Sequence, residues 1–304
     1  MPNSITLKRP NGFAVAEIHG FAPARHLADD AARAAVREAL ARFGVVCLRL
    51  SEAIDRDTFR AVAEILGPIK DPVGRGRDGG TLRYDTDLQV IDAGFVLTDE
   101  LRAQLGELTF GGLDDKRPGL FETFHVDDTY TELPAAATIL NAQLLPPSGG
   151  GDTCFLDMRA AHDLLEPALR ARLAGLRAVY AYNNRDAFPP RVSARGPNEA
   201  LVEVRHPIVR THPLTGGRAL YIDLDRATHV EGLAEAEGRA LLRALQDHAE
   251  SRAPQCRHRW QPHDVLAWDN ASVQHKASGD FPVGEPRRFY RHLIASVTQP
   301  DGRG

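Results

Sequence analysis

Val265-Leu266-Ala267-Trp268 is an apolar run followed by Asp269-Asn270 and, further on, His275; far upstream stands Phe124-His125-Val126-Asp127. The first run reads as a buried strand. A second strand-like run, Ala135 to Leu145, follows the His125 pair. Ligands carried on strands hold their geometry better than ligands on loops. A His-x-Asp pair with one distant His supplies two imidazoles and a carboxylate. Such a set caps one face of an iron(II) ion and leaves the other face open to substrate and oxygen. Arg287, Arg288 and Arg291 come soon after His275. An arginine there can hold a dicarboxylate co-substrate through a paired hydrogen-bond fork.

Singly, these pieces are common. The chain has 12 His and 41 acidic residues, and His162-Asp163 and His263-Asp264 bring the two types together without that spacing. An isolated His125 reads as a half-buried strand histidine bonded to a neighbour. Order and context favour the metal reading, because each ligand candidate adjoins a strand-like run.

Five ordered segments extend the pattern. They are Phe124-His125-Val126-Asp127; Pro134-Ala135-Ala136; Gly150-Gly151-Asp152-Thr153 with Phe155-Leu156-Asp157-Met158; His206 to Pro213 with Gly217 to Tyr221; and Trp268-Asp269-Asn270 through His275. In these segments the chain resembles the taurine dioxygenase family (TauD/TfdA-like) of iron(II)- and 2-oxoglutarate-dependent oxygenases. The resemblance covers the chain from about residue 120 onward, with weaker similarity in the first 70. It implies a mainly β fold with flanking helices, a double-stranded β-helix or jelly-roll barrel whose mouth holds the metal. It implies His125, Asp127 and His275 as iron ligands, and Thr153 as a contact of a 2-oxoglutarate carboxylate. Aligning Arg287-Arg288 with the family's double arginine makes Arg288 the anchor of the distal carboxylate. Alternate strand residues share a face, so Tyr290 and His292 would point inward with it. The other register uses Arg287, with Arg291 four residues later.

The resemblance also implies the chemistry. Iron(II), 2-oxoglutarate and O2 together hydroxylate a C–H bond and release succinate and carbon dioxide; desaturation or ring closure stays open. Family members acting on sulfonates or small carboxylates carry a second arginine four residues after the first. In the Arg288 register that position is His292, and a neutral imidazole offers no bidentate fork. The expected substrate is then a small polar molecule, an amino acid or biosynthetic intermediate, with Phe121, Glu122 and His292 as contacts. Two other readings use the same residues: a zinc hydrolase with a metal-bound water as nucleophile, and a catalytically silent ligand-binding barrel. The hydrolase leaves Thr153 and the downstream arginine unexplained.

Composition bounds the partners. The 304 residues are 43% hydrophobic and 26% charged, with a formal net charge of −4 and no basic block. Nothing points to nucleic acid or to a membrane. Cys47, Cys154 and Cys256 are odd in number and unpatterned, which suits a reducing cytoplasm and ferrous iron. The resemblance leaves room for a homo-oligomer.

Residues 1–304 read as one domain. In residues 1–70, Asp29-Asp30 can cap a helix that Gly44 ends, Val45 to Leu48 form a strand, and Asp55 opens a second helix reaching Leu66. Residues 70–120 and 183–200 read as active-site loops, with a short helix from Thr98 to Leu105. Leu201 to Val209 and Arg218 to Leu224 read as strands, and an amphipathic helix through Leu241 and Leu245 follows.

Overall fold

Asp29 starts the first long helix by accepting the backbone N–H groups of Ala31 and Ala32 at 2.9 and 3.2 Å, which satisfies donors a helix start leaves open. The helix runs Asp30–Phe43 and ends at Gly44, whose φ of 79° is the left-handed geometry glycine adopts without strain. A Cβ on Gly44 would sit 3.1 Å from Val273, so this glycine also lets the helix end approach the strand that carries His275. Asp55 caps Arg56–Ala63 through Thr58 N–H; the helix stops a turn short of Leu66.

The computed structural model describes residues 5–8, 12–70, 123–181, 203–282, 285 and 287–296, together with the backbone of 82–85 and 88–93. Phe121, Glu122, the expected helix Thr98 to Leu105 and the 183–200 loop lie outside these residues. Within the 70–120 stretch expected to be loop, Leu82–Asp85 and Leu88–Ala93 instead pair antiparallel, and the latter pairs with Arg287–Ile294.

One sheet has eight strands. Its order is Thr6–Lys8, Ala16–His19, Val45–Arg49, Val265–Asp269, Ala137–Leu144, Arg287–Ile294, Leu88–Ala93, Leu82–Asp85. A three-stranded sheet of Gln255–His258, Thr153–Asp157 and Val273–Ala277 faces it. A second three-stranded sheet, Ala227–Val230, Arg177–Ala181 and Glu203–Pro207, and the hairpin Val209–Thr211 with Arg218–Leu220 extend the barrel.

Strand alternation divides the large sheet into two faces. Val46, Leu48, Ile139, Val265, Ala267 and Ile294 pack outward against Val36, Ala39, Phe59 and Val62 of the helices. Val45, Cys47, Leu140, Leu266, Trp268 and Phe289 pack inward with Phe155 and Val273 of the small sheet. This is the mainly β jelly roll with flanking helices. Among the described residues, no helix is long and apolar enough to cross a membrane.

The strand expected through Leu224 stops at Leu220. Asp223 accepts the backbone N–H of Asp225 at 3.0 Å, a local side-chain bond that competes with ladder pairing.

Candidate metal and co-substrate centre

His125 and His275 exchange backbone hydrogen bonds of 3.1 and 3.0 Å across an isolated bridge, which brings their rings to 4.3 Å between centroids. Asp127 follows two residues after His125, with a carboxylate oxygen 3.6 Å from His275 Nε2. One donor atom from each of the three residues lies within 4.8 Å of the others, and all three residues are buried. His125 Nδ1 lies 2.8 Å from the Thr123 carbonyl. A carbonyl only accepts, so Nδ1 carries the proton and Nε2 keeps its lone pair for a metal.

Asp127 is held from two sides. Thr138 Oγ1 donates to it at 2.6 Å, and Arg291 Nη2 donates at 2.6 Å. Asn270 Nδ2 in turn donates to Thr138 Oγ1 at 3.1 Å, which gives the asparagine of the Trp-Asp-Asn run a task. The preceding Asp269 accepts His212 Nε2–H at 2.9 Å, so His212 belongs to the scaffold. His206 does too, bonding the Thr131 carbonyl at 3.0 Å.

Burial, and then the neighbouring His275, push the His125 imidazole pKa down. Burial takes His275 down to about 4. For Asp127 burial alone would raise the pKa, but Arg291 and the two imidazoles outweigh it and hold the carboxyl below its ordinary range. Two neutral imidazoles and one carboxylate are the protonation state that a divalent metal needs. The residues fit iron(II).

A second cluster does not fit a metal. Cys47, His258 and Asp264 also converge. Asp264 Oδ2 already accepts from Arg49 at 2.5 Å, His258 at 3.1 Å and the Gln261 N–H at 2.8 Å. Burial pushes the Cys47 thiol well above its usual pKa. The cluster is a hydrogen-bonded lock within the large sheet and its neighbour.

The last strand presents the second of the two arginine registers, with Arg287 and not Arg288 on the inner face. Arg287, Phe289 and Arg291 occupy the inner face, while Tyr290 packs with the outer core against the helices. His292 is 1% exposed and stacks on Phe59 of the second helix at 5.0 Å, away from the metal ligands. Arg288 shares that outer parity. Arg287 is buried over the Phe289 ring at 4.1 Å, and its Nε donates to the Gly151 carbonyl at 2.7 Å. A Cβ on Gly151 would come within 2.9 Å of Arg287 Cδ, so this glycine makes room for the arginine. Thr153, two residues on, is buried, and Trp260 Nε1 donates to its Oγ1 at 3.1 Å. Trp260 lies 4.4 Å from the Phe289 ring, which brings Thr153 and Arg287 into one neighbourhood. Sequence reading missed Thr138, Trp260 and Thr123; only the position of Thr123 just ahead of the His-x-Asp pair was a signal.

A jelly roll with two imidazoles and a carboxylate on its inner face defines a mononuclear non-haem iron enzyme. The chain belongs to the TauD/TfdA family: the family described as "Taurine catabolism dioxygenase TauD, TfdA family" matches residues 8–293. An α-ketoglutarate-dependent 2,4-dichlorophenoxyacetate dioxygenase of Cupriavidus pinatubonensis is 33% identical over 252 residues, covering 77% of this chain and 87% of that one. An α-ketoglutarate-dependent sulfate ester dioxygenase of Pseudomonas putida is 28% identical over 296 residues, with 94% and 88% covered. A solved taurine dioxygenase from Burkholderia xenovorans shares the fold with a TM-score of 0.73 and 27% identity, covering 99% and 93%. The protein is a 2-oxoglutarate-dependent dioxygenase using iron(II) and O2. These relatives give no support to the zinc hydrolase or to the silent barrel.

Proposed function

We propose that this dioxygenase hydroxylates a small organic anion, with His125, Asp127 and His275 as iron ligands, Arg287 and Thr153 gripping 2-oxoglutarate, and Arg291 gripping the substrate. One observation carries the reading: two buried arginines share the metal face of the last strand. Arg287 has no carboxylate partner among the described residues, and burial lowers its pKa to about 10. Asp152, itself ion-paired to Arg257, only partly offsets the burial of this guanidinium, and the distal carboxylate of 2-oxoglutarate would complete the offset. Arg291 spends Nη2 on Asp127, while its Nε is buried without a hydrogen-bond partner among the described residues. A substrate carboxylate, sulfonate or sulfate would answer that unmet donor. The relatives named above act on a phenoxyacetate and on sulfate esters, both organic anions.

Iron(II) and 2-oxoglutarate supply the oxidant: substrate R–H, 2-oxoglutarate and O2 give R–OH, succinate and carbon dioxide. The chain's own residues position the reactants. Thr138 and Asn270 orient the Asp127 carboxylate. Thr153, its oxygen already accepting from Trp260, keeps its own hydroxyl proton to donate to a carboxylate. Phe155, Trp268 and Phe289 wall the inner face with rings and keep water from the reacting atoms. His292, turned away, takes no part, so the substrate need not be chosen for lack of an inward arginine, and an amino acid's own carboxylate would also suit Arg291. Phe121 and Glu122 remain proposed pocket residues by position alone. The cytoplasm is the proposed compartment, with no nucleic-acid or membrane partner, on the strength of the net charge and the three unpaired cysteines. A homo-oligomer is proposed only from the family resemblance.

The test is succinate release with a panel of aryl and aryloxy carboxylates, sulfonates, sulfate esters and amines. Acid-bearing compounds should stimulate turnover, and Arg291→Gln should lower it about tenfold or more at limiting substrate without changing 2-oxoglutarate affinity. Turnover driven by amines that lack an acid group, and indifferent to Arg291→Gln, would overturn the proposal.

A further inference from the structure

Both pieces of chain that carry the candidate iron ligands lean on one short irregular segment, Tyr221-Ile222-Asp223-Leu224-Asp225. Ile222, Asp223 and Asp225 are buried there, at 0%, 1% and 3% exposure. Thr123 Oγ1 donates to the Asp225 carboxylate, 3.1 and 2.9 Å from its two oxygens. Thr129 Oγ1 donates to Asp223 at 2.7 Å. These two threonines bracket His125 and Asp127. Gln274, the neighbour of His275, donates Nε2 to the Ile222 carbonyl at 2.8 Å. The segment is itself stiffened by Asp225 N–H on Asp223 at 3.0 Å, and by Tyr180 Oη on the Tyr221 carbonyl at 3.0 Å.

We propose that Asp223 and Asp225 are positioning residues for the iron centre, acting through Thr129 and Thr123 to hold the His125–Asp127 turn against the His275 strand. The link to the metal is direct in geometry. Asp225 fixes the Thr123 side chain, and the Thr123 carbonyl accepts the hydrogen bond of His125 Nδ1–H at 2.8 Å. That contact sets the ring's orientation and tautomer, which outer contacts of a metal-bound imidazole generally do. Asp128 adopts a φ of 66°, uncommon for a residue with a side chain. The turn therefore holds a backbone geometry that its neighbours must enforce, and Thr129 on Asp223 is the next residue.

The inference rests on His125 being an iron ligand, so the experiment keeps the two claims apart. Iron(II) is titrated anaerobically into wild type, His125→Ala, Thr123→Val, Thr123→Ser and Asp225→Asn. Binding of 2-oxoglutarate to the iron-loaded forms is then followed by the visible charge-transfer band. Thr123→Val should bind iron about tenfold or more weakly while its iron-loaded form keeps wild-type affinity for 2-oxoglutarate. Thr123→Ser, which restores the hydroxyl, should restore iron affinity, and Asp225→Asn should fall between wild type and Thr123→Val. If His125→Ala loses iron while Thr123→Val and Asp225→Asn bind it like wild type, the positioning role is wrong and the ligand assignment stands. If Thr123→Ser fails to rescue, or 2-oxoglutarate affinity falls together with iron affinity, the effect is general loss of structure and the proposal fails. If His125→Ala binds iron like wild type, the ligand assignment falls and this inference with it.

Discussion

The two faces of the last strand, Arg287–Ile294, bury residues of similar polarity under opposite terms. On the metal face Arg291 lies against the Asp127 carboxylate, and Arg287 against the Gly151 carbonyl. On the helix face His292 is as deeply buried, yet among the described residues neither ring nitrogen has a hydrogen-bond partner. The difference is in charge state. The guanidinium cannot shed its proton and must be answered by an acceptor or a bound anion. The imidazole escapes the cost by staying neutral: burial, and then Arg60, push its pKa down to about 4. A polar residue in a sheet therefore marks a site only when its charge must be met.

Asp127→Ala would strain the metal face most. It removes a proposed metal donor and takes from Arg291 its ion-pair partner, a change that costs about 3–5 kcal/mol when a buried pair is broken. Iron binding and turnover should be lost and the melting temperature of the metal-free protein should drop, as read by anaerobic titration and calorimetry. Retained stability would mean that the Arg291 pair contributes little.

A swap between faces is the sharper comparison. Arg287→Gln should raise the KM for 2-oxoglutarate about tenfold to a hundredfold, the worth of a charge-assisted hydrogen bond. Arg288→Gln should leave that KM unchanged. The reverse result would restore the Arg288 register and turn the strand over.

His292→Phe probes the helix face and carries the smallest effect. Turnover should hold, and stability at neutral pH should change by about 1 kcal/mol or less. The acid side separates the proteins. An imidazole whose folded pKa of about 4 lies below its unfolded value of about 6.5 contributes stability above the unfolded value. That contribution is lost as pH falls through the window toward the folded value. Melting temperature measured across that window should fall less steeply in His292→Phe than in wild type. Identical slopes would mean that His292 finds a proton acceptor in the fold.

The parity of the strand was legible: Arg288, Tyr290 and His292 do share a face, because alternation is a property of any strand. Which face looks at the metal was not, since arginine and aromatic residues stand on both. Asp223 and Leu224 fall within the strand expected over Arg218 to Leu224, which stops at Leu220. Nothing local shows that Asp223 turns back onto its own chain.

By itself the sequence determined the chemistry on offer: which imidazoles and carboxylate were present and in what order, where Asp29 and Asp55 start helices, and which family the ordered segments resemble. Those are matters of residue identity and near-neighbour spacing. The tertiary structure alone decided the facing of Arg287 and Arg291, the packing of His292 on Phe59 and the hydrogen bonds of Asp223 and Asp225 with Thr129 and Thr123. A period-two pattern looks the same from either side of a sheet, and only the helices packed on one side tell the strand which way is in.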